Sequence, residues 1–483
     1  MKKSIKLVLF ILGLTIAVSF LTLHSAGTVD AFQDRIIRIA LYHDVSSLSS
    51  SGSKESLEVS AIKGLSFGYY ANGYYTELYS DTSPGRYTVK CSSDDQYGIT
   101  LLSPSKEVIL DFDTRIGHFQ ARPRPENDPW MIRLGDYYRG FLEFRRYPEL
   151  GAGYLTCINE VDVEGYLYGV VPKEMEAYSP LEALKAQAVA ARTYAYRHLD
   201  SPKYPYSSIG ANLSDATDCQ VYYGYAQVNK ITGSLIMVEQ PATNRAVDGT
   251  RYKTLKYNGS YVYAFYSSSS GGYTEDPRNV WGGGYGYLQA NPDRYELTSS
   301  SRYFWERTFT SLDLRNIVLA ETNNAKDIGP VTRVEIIQRA DSGRPTQIML
   351  TGTGGTHIFY NSQCRTAFSL NGQLYDILNA GPLKNTLVLN GYDNIVRSVD
   401  PSVLYAVNGQ GITVRISKKS VINGADLFRT FENVSYESDS FTFIGRGWGH
   451  GVGMSQEGAK GMAQAGYTYR DILSFYYAGT VVE

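Results

Sequence analysis

The carboxylate with the most unusual surroundings in this sequence is Glu174, in the stretch VVPKEMEAYSP. It follows Val170 and Val171 and precedes Met175. A carboxyl group among apolar neighbours loses hydration, so its pKa rises and it becomes able to donate a proton near neutral pH. The alternative is Glu176, two residues later and closer to the start of the next helix. An acidic residue in that position often does no more than complement the helix dipole.

A second unusual stretch, GRGWGHGVGMSQEGAKGMAQ at residues 445–464, alternates glycine with Arg446, Trp448, His450 and Val452. In an extended chain the glycines would share one face and the larger side chains the other. Glycine weakens a strand, so this repetition points to the close approach of another backbone or of a ligand. His450 is a candidate for contacting that ligand or steadying Glu174. The alternative is a structural histidine inside a tight glycine-rich turn.

Several kinds of chemistry have no motif in this sequence. It contains no P-loop, no nucleotide-binding glycine fingerprint, no G-x-S-x-G and no H-E-x-x-H. The six histidines show no metal-ligand spacing, and the four cysteines form no C-x-x-C. We therefore expect free thiols, no metal and no cofactor. The net charge of -2 argues against a nucleic-acid partner, because phosphate binding needs a concentrated positive field.

The clearest element near Glu174 is a predicted helix, SPLEALKAQAVAARTYAYRHL at residues 179–199. Ser179 is the expected N-cap, Pro180 the first helical residue, and Glu182 completes a capping box. Leucine and alanine recur at helical spacing and predict a narrow buried stripe. The preceding residues, up to Glu174, are expected to be the end of a hydrophobic strand.

Strand patterns dominate the rest of the chain. Alternating apolar residues bounded by Gly, Ser and Asp predict strands in segments such as RIIRIALY, GRYTVKC, KEVILDFD, TRVEIIQ, TQIMLTG, THIFYN and SFTFIG. Hydrophobic residues make up 43% and charged residues 19%, which indicates a globular protein. The predicted class is α+β, β-rich, with one long alanine-rich helix.

The N-terminus predicts export. The positive segment MKKSIK is followed by an uncharged stretch at residues 7–23, so residues 1–31 are interpreted as a signal peptide, with cleavage after Ala31, or as a membrane anchor. Residues 32–125 are expected to form a small β-rich region. The proline-rich segment RPRPENDP at 122–129 marks a boundary, and residues 126–483 form the main domain.

Three long blocks of this sequence resemble the SpoIID/LytB family. They are EGYLYGVVPKEM with PLEALKAQAVAARTYA, then FYSSSSGGYTEDPRNVWGGGYGYLQANPDRYE, then GRGWGHGVGMSQEGAKGMAQAGYTYRDILSFYYAGT. The blocks occur in order and bracket most of residues 137–483. Residues 310–430 fit the pattern less well. The resemblance implies an exported protein that acts on peptidoglycan. The family's sporulation members are membrane-anchored lytic transglycosylases, and other members are described as enhancers of wall amidases.

The resemblance also implies residue roles. It places the catalytic acid/base at Glu174, which would protonate the glycosidic oxygen between N-acetylmuramic acid and N-acetylglucosamine. The muramic acid 6-hydroxyl would then attack the anomeric carbon and leave a 1,6-anhydro end. The residues expected to line the cleft or contact the glycan are Arg192, Ser268, Ser270, Tyr273, His450 and Gln456. Some family members bind zinc near the segment matching SDATDCQVYYG, but here only Cys219 remains and no histidine, so no zinc is expected.

Two other functions stay open at this point. A glycan hydrolase would need a second carboxylate at a defined separation, for which Glu275 and Asp276 are the candidates, although a solvated turn before Pro277 is the favoured interpretation of both. A non-catalytic amidase activator or wall-binding module could also keep this fold. The expected partners are peptidoglycan glycan strands, a wall amidase of the SpoIIP type, and the membrane through the N-terminal segment. Trp281 could stack on a sugar or belong to the core.

Overall fold

The computed structural model describes residues 35–45, 52–124, 131–150, 152–321, 326–378 and 440–483, together with short strands between 387 and 431. The predicted signal or anchor at residues 1–31 lies outside the described residues. Among the helices that the structure does describe, none has both the length and the apolar character needed to cross a membrane.

Two large sheets form the first half of the protein. In spatial order, the seven-stranded sheet contains β13 (Leu213–Ser214), β1 (Ile36–Tyr42), β12 (Ala152–Asp162), β11 (Phe141–Tyr147), β8 (His118–Pro123), β3 (Leu65–Ala71) and β4 (Tyr74–Asp81). The eight-stranded sheet contains β15 (Leu235–Met237), β14 (Ala226–Val228), β10 (Asp136–Arg139), β9 (Met131–Leu134), β2 (Ser56–Ala61), β5 (Gly85–Cys91), β6 (Gly98–Leu102) and β7 (Val108–Asp113). Their apolar faces share one core, with Phe67, Phe119 and Leu142 on one side and Val59 and Val89 on the other.

The boundary expected near residue 125 falls inside these sheets. Strand β8, before it, pairs with β11, and β2 pairs with β9. Strand β1 also lies antiparallel to β12, with Ile37 opposite Val161. Backbone pairing and apolar burial therefore cross the boundary predicted from the sequence, and the strands on its two sides share one core.

Smaller sheets complete the structure. They consist of β17 (Ser260–Tyr261), β16 (Leu255–Tyr257) and β32 (Val481–Val482); β18 (Tyr266–Ser267) and β31 (Met454–Ser455); β19 (Phe304–Thr310), β30 (Ser440–Arg446) and β23 (Leu374–Leu378); β20 (Val331–Arg339), β21 (Pro345–Gly352) and β22 (Gly355–Tyr360); and three hairpins, β24 (Leu387–Asn390) with β25 (Val396–Val399), β26 (Tyr405–Val407) with β27 (Thr413–Arg415), and β28 (Ser420–Gly424) with β29 (Leu427–Phe431). The strand patterns found in the sequence correspond to these elements, and the α+β, strand-rich class is confirmed.

The described residues include one long helix and seven shorter ones. They are α1 (Val163–Glu174), α2 (Leu181–Asp200), α3 (Pro241–Asp248), α4 (Arg278–Trp281), α5 (Ser311–Glu321), α6 (Gln363–Thr366), α7 (Gln456–Gln464) and α8 (Tyr469–Tyr476). Helix α2 packs against α1, α3, α7 and α8. It is therefore buried on nearly every side between Ala183 and Tyr196, and not along one narrow stripe as expected.

The capping box predicted for α2 does not form. Pro180 occupies the N-cap position in an extended conformation, and no side chain caps the helix. The Glu182 carboxylate instead accepts from the backbone N–H of Tyr469 at 2.8 Å and from Lys185 Nζ at 2.7 Å. Glu182 is thus drawn towards the first turn of α8, where orphan backbone N–H groups attract an anion.

Candidate active site

Glu174 is the last residue of helix α1, and not the end of a strand as the sequence pattern suggested. Asp162 starts this helix, because its Oδ1 accepts from the backbone N–H of Gly165 at 2.8 Å. Pro172 lies inside the last turn, and the helix ends at Met175, whose backbone is extended. Glu174 therefore stands where the chain leaves α1 and turns towards α2.

The carboxyl group of Glu174 is enclosed by hydrogen-bond donors, although the side chain keeps partial solvent exposure. Its Oε1 accepts from the backbone N–H of Val221 at 2.9 Å, and the side chains of Tyr266 and Gln456 also donate to it. Burial raises the pKa of Glu174 to about 7, even though these donors and the charge of Arg302 act in the opposite direction. A carboxyl group with this pKa exists in both protonation states at neutral pH, as a general acid/base requires.

The hydrogen bonds behind Glu174 have a defined direction. Gln220 Nε2 donates to the Tyr266 hydroxyl oxygen at 2.9 Å, and the Tyr166 hydroxyl donates to Gln220 Oε1 at 3.3 Å. The proton of Tyr266 therefore points to Glu174. Burial and the nearby Glu174 charge hold the pKa of Tyr266 well above its usual value, so this donor is retained. Tyr266, Gln220 and Val221 were not predicted as site residues from the sequence, because no motif connects them before the chain is folded.

Glu176, the alternative candidate, has a different environment. Its carboxylate is paired with Lys460 Nζ at 2.6 Å and with Arg302 at 3.3 Å. Burial alone would raise the pKa of Glu176, but the hydrogen bond and charge of Lys460 outweigh burial and lower it. Glu176 is therefore an ionised partner in a salt-bridge network, whereas Glu174 is the carboxyl group able to carry a proton at neutral pH.

Arg302 is a cation close to this site that was not predicted from the sequence. Its side chain is 41% exposed, and one guanidinium nitrogen donates to Ser268 Oγ at 2.6 Å. Arg302 thus bonds both to Ser268, one of the expected glycan contacts, and to Glu176. Its positive charge also lowers the pKa of Glu174. The surrounding segment, TSSSRYF, contains no signal that would have marked this arginine.

Ser270, another expected glycan contact, points into the protein. It is buried, and its hydroxyl lies 2.6 Å from Glu296 Oε2 and 3.0 Å from Asp293 Oδ2. One hydroxyl has one proton to donate, so the two carboxyl groups share a single donor at this serine. Consistently, burial and the charge of Glu296 raise the pKa of Asp293 to about 7. Ser270 therefore holds its own loop against Asp293 and Glu296. Tyr273, also expected to contact the glycan, is partly exposed, and its backbone forms a bridge with Pro292.

The glycine-rich stretch is not a regular strand. Gly447, Gly449, Gly451 and Gly453 all have positive φ angles, between 74° and 104°. At Gly453 an added Cβ would lie 2.0 Å from a backbone oxygen, that of Phe265. The alternation expected from an extended chain is therefore wrong, because left-handed residues turn the backbone at every second position.

His450 lies against the site but does not act on Glu174 directly. Its Nδ1 accepts from the backbone N–H of Val452 at 3.0 Å, and it also bonds to the backbone of Tyr266. Burial lowers the pKa of His450 to about 3, so the ring is neutral. Its ring packs edge-on against Trp281, with centroids 5.0 Å apart.

Arg192, expected to line the cleft, is fully buried elsewhere in the core. Its Nε and Nη2 atoms each lie 2.7 Å from an oxygen of Glu164. Its remaining donors go to the backbone oxygens of Val247 and Lys253 and to the Thr250 hydroxyl. These contacts tie α1 to α2 and α3. All its donor directions are occupied by protein atoms, so the structure gives Arg192 a structural place rather than a substrate-facing one.

The candidate second carboxylates are also committed to other partners. Glu275 is 1% exposed, not part of a solvated turn, and it accepts from Ser342 Oγ and from Asn279 at 3.0 Å. Asp276 forms an ion pair with Arg278. Elsewhere in the described parts of the chain, no group of three or more His, Cys, Asp or Glu side chains is arranged to hold a metal ion. All four cysteines are free thiols, as expected.

The chain is similar in sequence to several known proteins. The family model for SpoIID, stage II sporulation protein, matches residues 152–257, which include α1 and α2. The chain is 32% identical to an amidase enhancer of Bacillus subtilis (strain 168) over 65% of its own length, but spans only 40% of that protein. It is 29% identical to stage II sporulation protein D of the same organism, covering 67% of this chain and 75% of that one. An uncharacterised protein of Brachyspira hyodysenteriae is also 29% identical, over 71% of this chain and 72% of the relative. The SpoIID family model thus falls on the helices that carry Glu174, and residues 152–257 of this chain match that family.

Proposed function

We propose that this protein is an exported lytic transglycosylase that cleaves peptidoglycan glycan strands with Glu174 as its single general acid/base. The observation that carries the proposal is the enclosed carboxyl group of Glu174, with a pKa of about 7 and three donors that fix its orientation. The names of the relatives, stage II sporulation protein D and amidase enhancer, favour a role at the cell wall.

The proposed reaction uses one proton and no water. Protonated Glu174 donates to the glycosidic oxygen as the bond from the anomeric carbon to that oxygen breaks. The muramic acid 6-hydroxyl forms the new bond to the anomeric carbon, and the Glu174 carboxylate takes the proton that this hydroxyl loses. Tyr266, Gln456 and the Val221 N–H hold the carboxylate in place through both steps. Ser268, with Arg302 beside it, remains the proposed glycan contact next to Glu174, whereas Gln456 is 4% exposed and its amide also donates to Gln187 at 3.3 Å.

Glu275 and Asp276 are already bonded to other side chains of the protein, which favours this reaction over hydrolysis. A hydrolase needs a second carboxylate to activate water or to attack the sugar. Glu275 is buried against Ser342 and Asn279, and Asp276 is held by Arg278. We therefore propose internal attack by the sugar's own hydroxyl.

One digestion tests the proposal. Peptide-free glycan strands are incubated with the full chain and the products are analysed by mass spectrometry. Anhydro-muramic ends are expected, and they should disappear with Glu174→Gln but persist with Glu176→Gln. Reducing ends would support the hydrolase, and equal cleavage by the Glu174→Gln variant would refute the role of Glu174.

A second candidate function is activation of a wall amidase. It is favoured by the likeness to the amidase enhancer, which covers 65% of this chain. In this case the protein would bind glycan and stimulate an added amidase of the SpoIIP type without cleaving strands itself. Release of stem peptides by that amidase, measured with and without the Glu174→Gln variant, separates the two: stimulation that survives the substitution does not depend on cleavage.

A further inference from the structure

Aromatic side chains continue outward from His450. Trp281 packs 5.0 Å from His450 and 4.9 Å from Phe265, measured between ring centroids. Phe265 stacks on Tyr263 at 5.6 Å, and Tyr263 contacts Tyr285 at 5.1 Å. Trp281 remains 49% exposed and Tyr285 36% exposed. The inner rings thus support two outer rings that keep open surface.

The backbone between the two outer rings is bare. A Cβ added at Gly282 or Gly283 would meet no atom within 4 Å. Gly282 has a φ of +85°, which accounts for glycine there. Gly283 has neither a positive φ nor a close neighbour, so neither conformation nor packing explains its missing side chain. A bare backbone beside exposed rings leaves room for a ligand to lie against it.

Polar groups border the same surface. Arg278, whose side chain is 72% exposed, is held by Asp276 through its Nε and Nη2 atoms at 3.0 and 2.5 Å. Arg278 also packs against Gly284. Sugar rings present C–H faces that pack on aromatic rings and hydroxyl groups that bond to fixed polar groups. An aromatic surface with an oriented ionic pair at its edge fits a saccharide better than a purely apolar partner.

This surface is connected to Glu174. His450 contacts Trp281 on one side and bonds to the backbone of Tyr266 on the other. The hydroxyl of Tyr266 donates to Glu174. Two residues, His450 and Tyr266, therefore link the exposed tryptophan to the proposed acid/base.

We propose that Trp281 and Tyr285, with the bare Gly283 backbone between them, form a stacking platform for saccharide units of the glycan strand next to those at Glu174. The platform deepens the proposed function and rests on it for the identity of the polymer. Because it holds units away from the cleaved bond, it makes affinity depend on strand length.

The test measures binding in the Glu174→Gln background of the full chain, so that the strands stay intact. Peptide-free glycan strands, fractionated by length, are titrated by calorimetry. Trp281→Ala should weaken the affinity for long strands about 3- to 10-fold, which is the contribution of one aromatic contact. The affinity for the shortest strands that bind should not change. Trp281→Phe should recover most of the loss. Tyr74→Ala, which removes a 77% exposed tyrosine from the N-terminal sheet, is the matched control and should change neither.

Gly283→Val provides a second variant, because a side chain there meets open space and should leave the unfolding temperature unchanged. It should weaken only the long strands. Equal weakening of short and long strands, or no weakening of long ones by either variant, would overturn the platform. If the wild type cleaves nothing while long strands still bind through Trp281, the transglycosylase fails and the platform stands. If strands are cleaved and both variants bind normally, the platform alone fails.

Discussion

Val221 donates its backbone N–H to Oε1 of Glu174 across 2.9 Å, joining positions that are 47 residues apart in the chain. The segment containing Val221 thereby forms one wall of the site, and β18 and α7 provide the other donors through Tyr266 and Gln456. Each donor favours the charged carboxylate, whereas burial favours the neutral acid. The pKa near 7 is the balance of these effects, and it is open to direct test.

Activity should fall as the pH rises through about 7. The proposed acid must be protonated to act, and burial places the pKa of Glu174 at about 7. The pH dependence of kcat/KM for cleavage of glycan strands should therefore show a descending limb near this value. A flat profile from pH 6 to 8 would contradict the role of Glu174.

Glu174 should also make folding stability depend on pH. Its pKa in the folded state lies above the ordinary carboxyl value of 4.5, so the folded state binds more protons between about pH 4.5 and 7. Stability should therefore fall as the pH rises through this window, by at most about 3 kcal/mol from this group. Denaturant unfolding of the wild type and of Glu174→Gln at pH 5 and pH 8 measures the effect. The variant should lose less stability than the wild type between the two.

Tyr266→Phe should move the descending limb of activity to higher pH. The substitution removes a donor that favours the carboxylate, so the pKa of Glu174 rises further. Because it also removes the nearer of two acceptors of Gln220 Nε2, we expect a loss of about 1–3 kcal/mol in the free energy of unfolding. Tyr166→Phe is the control, since its hydroxyl reaches Gln220 and not Glu174. An equal shift in both pH profiles would argue against a direct role for Tyr266.

Substituting Arg192 should lower the stability of the fold and should not act directly on catalysis. Removing one partner of its buried pair with Glu164 leaves an uncompensated charge, so Arg192→Met should cost about 3–5 kcal/mol. Replacing both partners, as Arg192→Met with Glu164→Leu, should recover a large part of that loss. Thermal unfolding of the wild type, Arg192→Met, Glu164→Leu and the double variant provides the double-mutant cycle. If Arg192→Met lost glycan binding without losing stability, Arg192 would instead be a glycan contact.

Gly453→Ala should be severely destabilising. The substitution adds a Cβ 2.0 Å from the Phe265 backbone oxygen, at a φ of +74°. Gly466 has a similar φ of +90° but no atom within 4 Å of an added Cβ, so Gly466→Ala should cost only about 1 kcal/mol of backbone strain. Denaturant unfolding should show a loss at Gly453 larger by at least about 2 kcal/mol. Similar losses at both positions would mean that conformation, and not close approach, explains the glycine.

Local patterns in the sequence determined much of this protein. Alternating apolar residues predicted strands such as Gly85–Cys91 and Val108–Asp113, because a half-buried strand needs that period. The alanine-rich helix was also visible. The apolar neighbours of Glu174, together with the three family blocks, singled out the carboxyl group that the structure encloses.

Only the tertiary structure decided which partners these residues have. A capping box was expected at Glu182, but its carboxylate is taken by the N-terminus of another helix. An extended glycine stretch was expected, but the backbone of Phe265 and other neighbours approach it too closely for side chains. Tyr266, Gln220, Val221 and Arg302 meet around Glu174 from distant positions. Hydrogen bonds and ion pairs depend on distances of about 3 Å, and spacing along a chain does not determine such distances until folding brings the segments together.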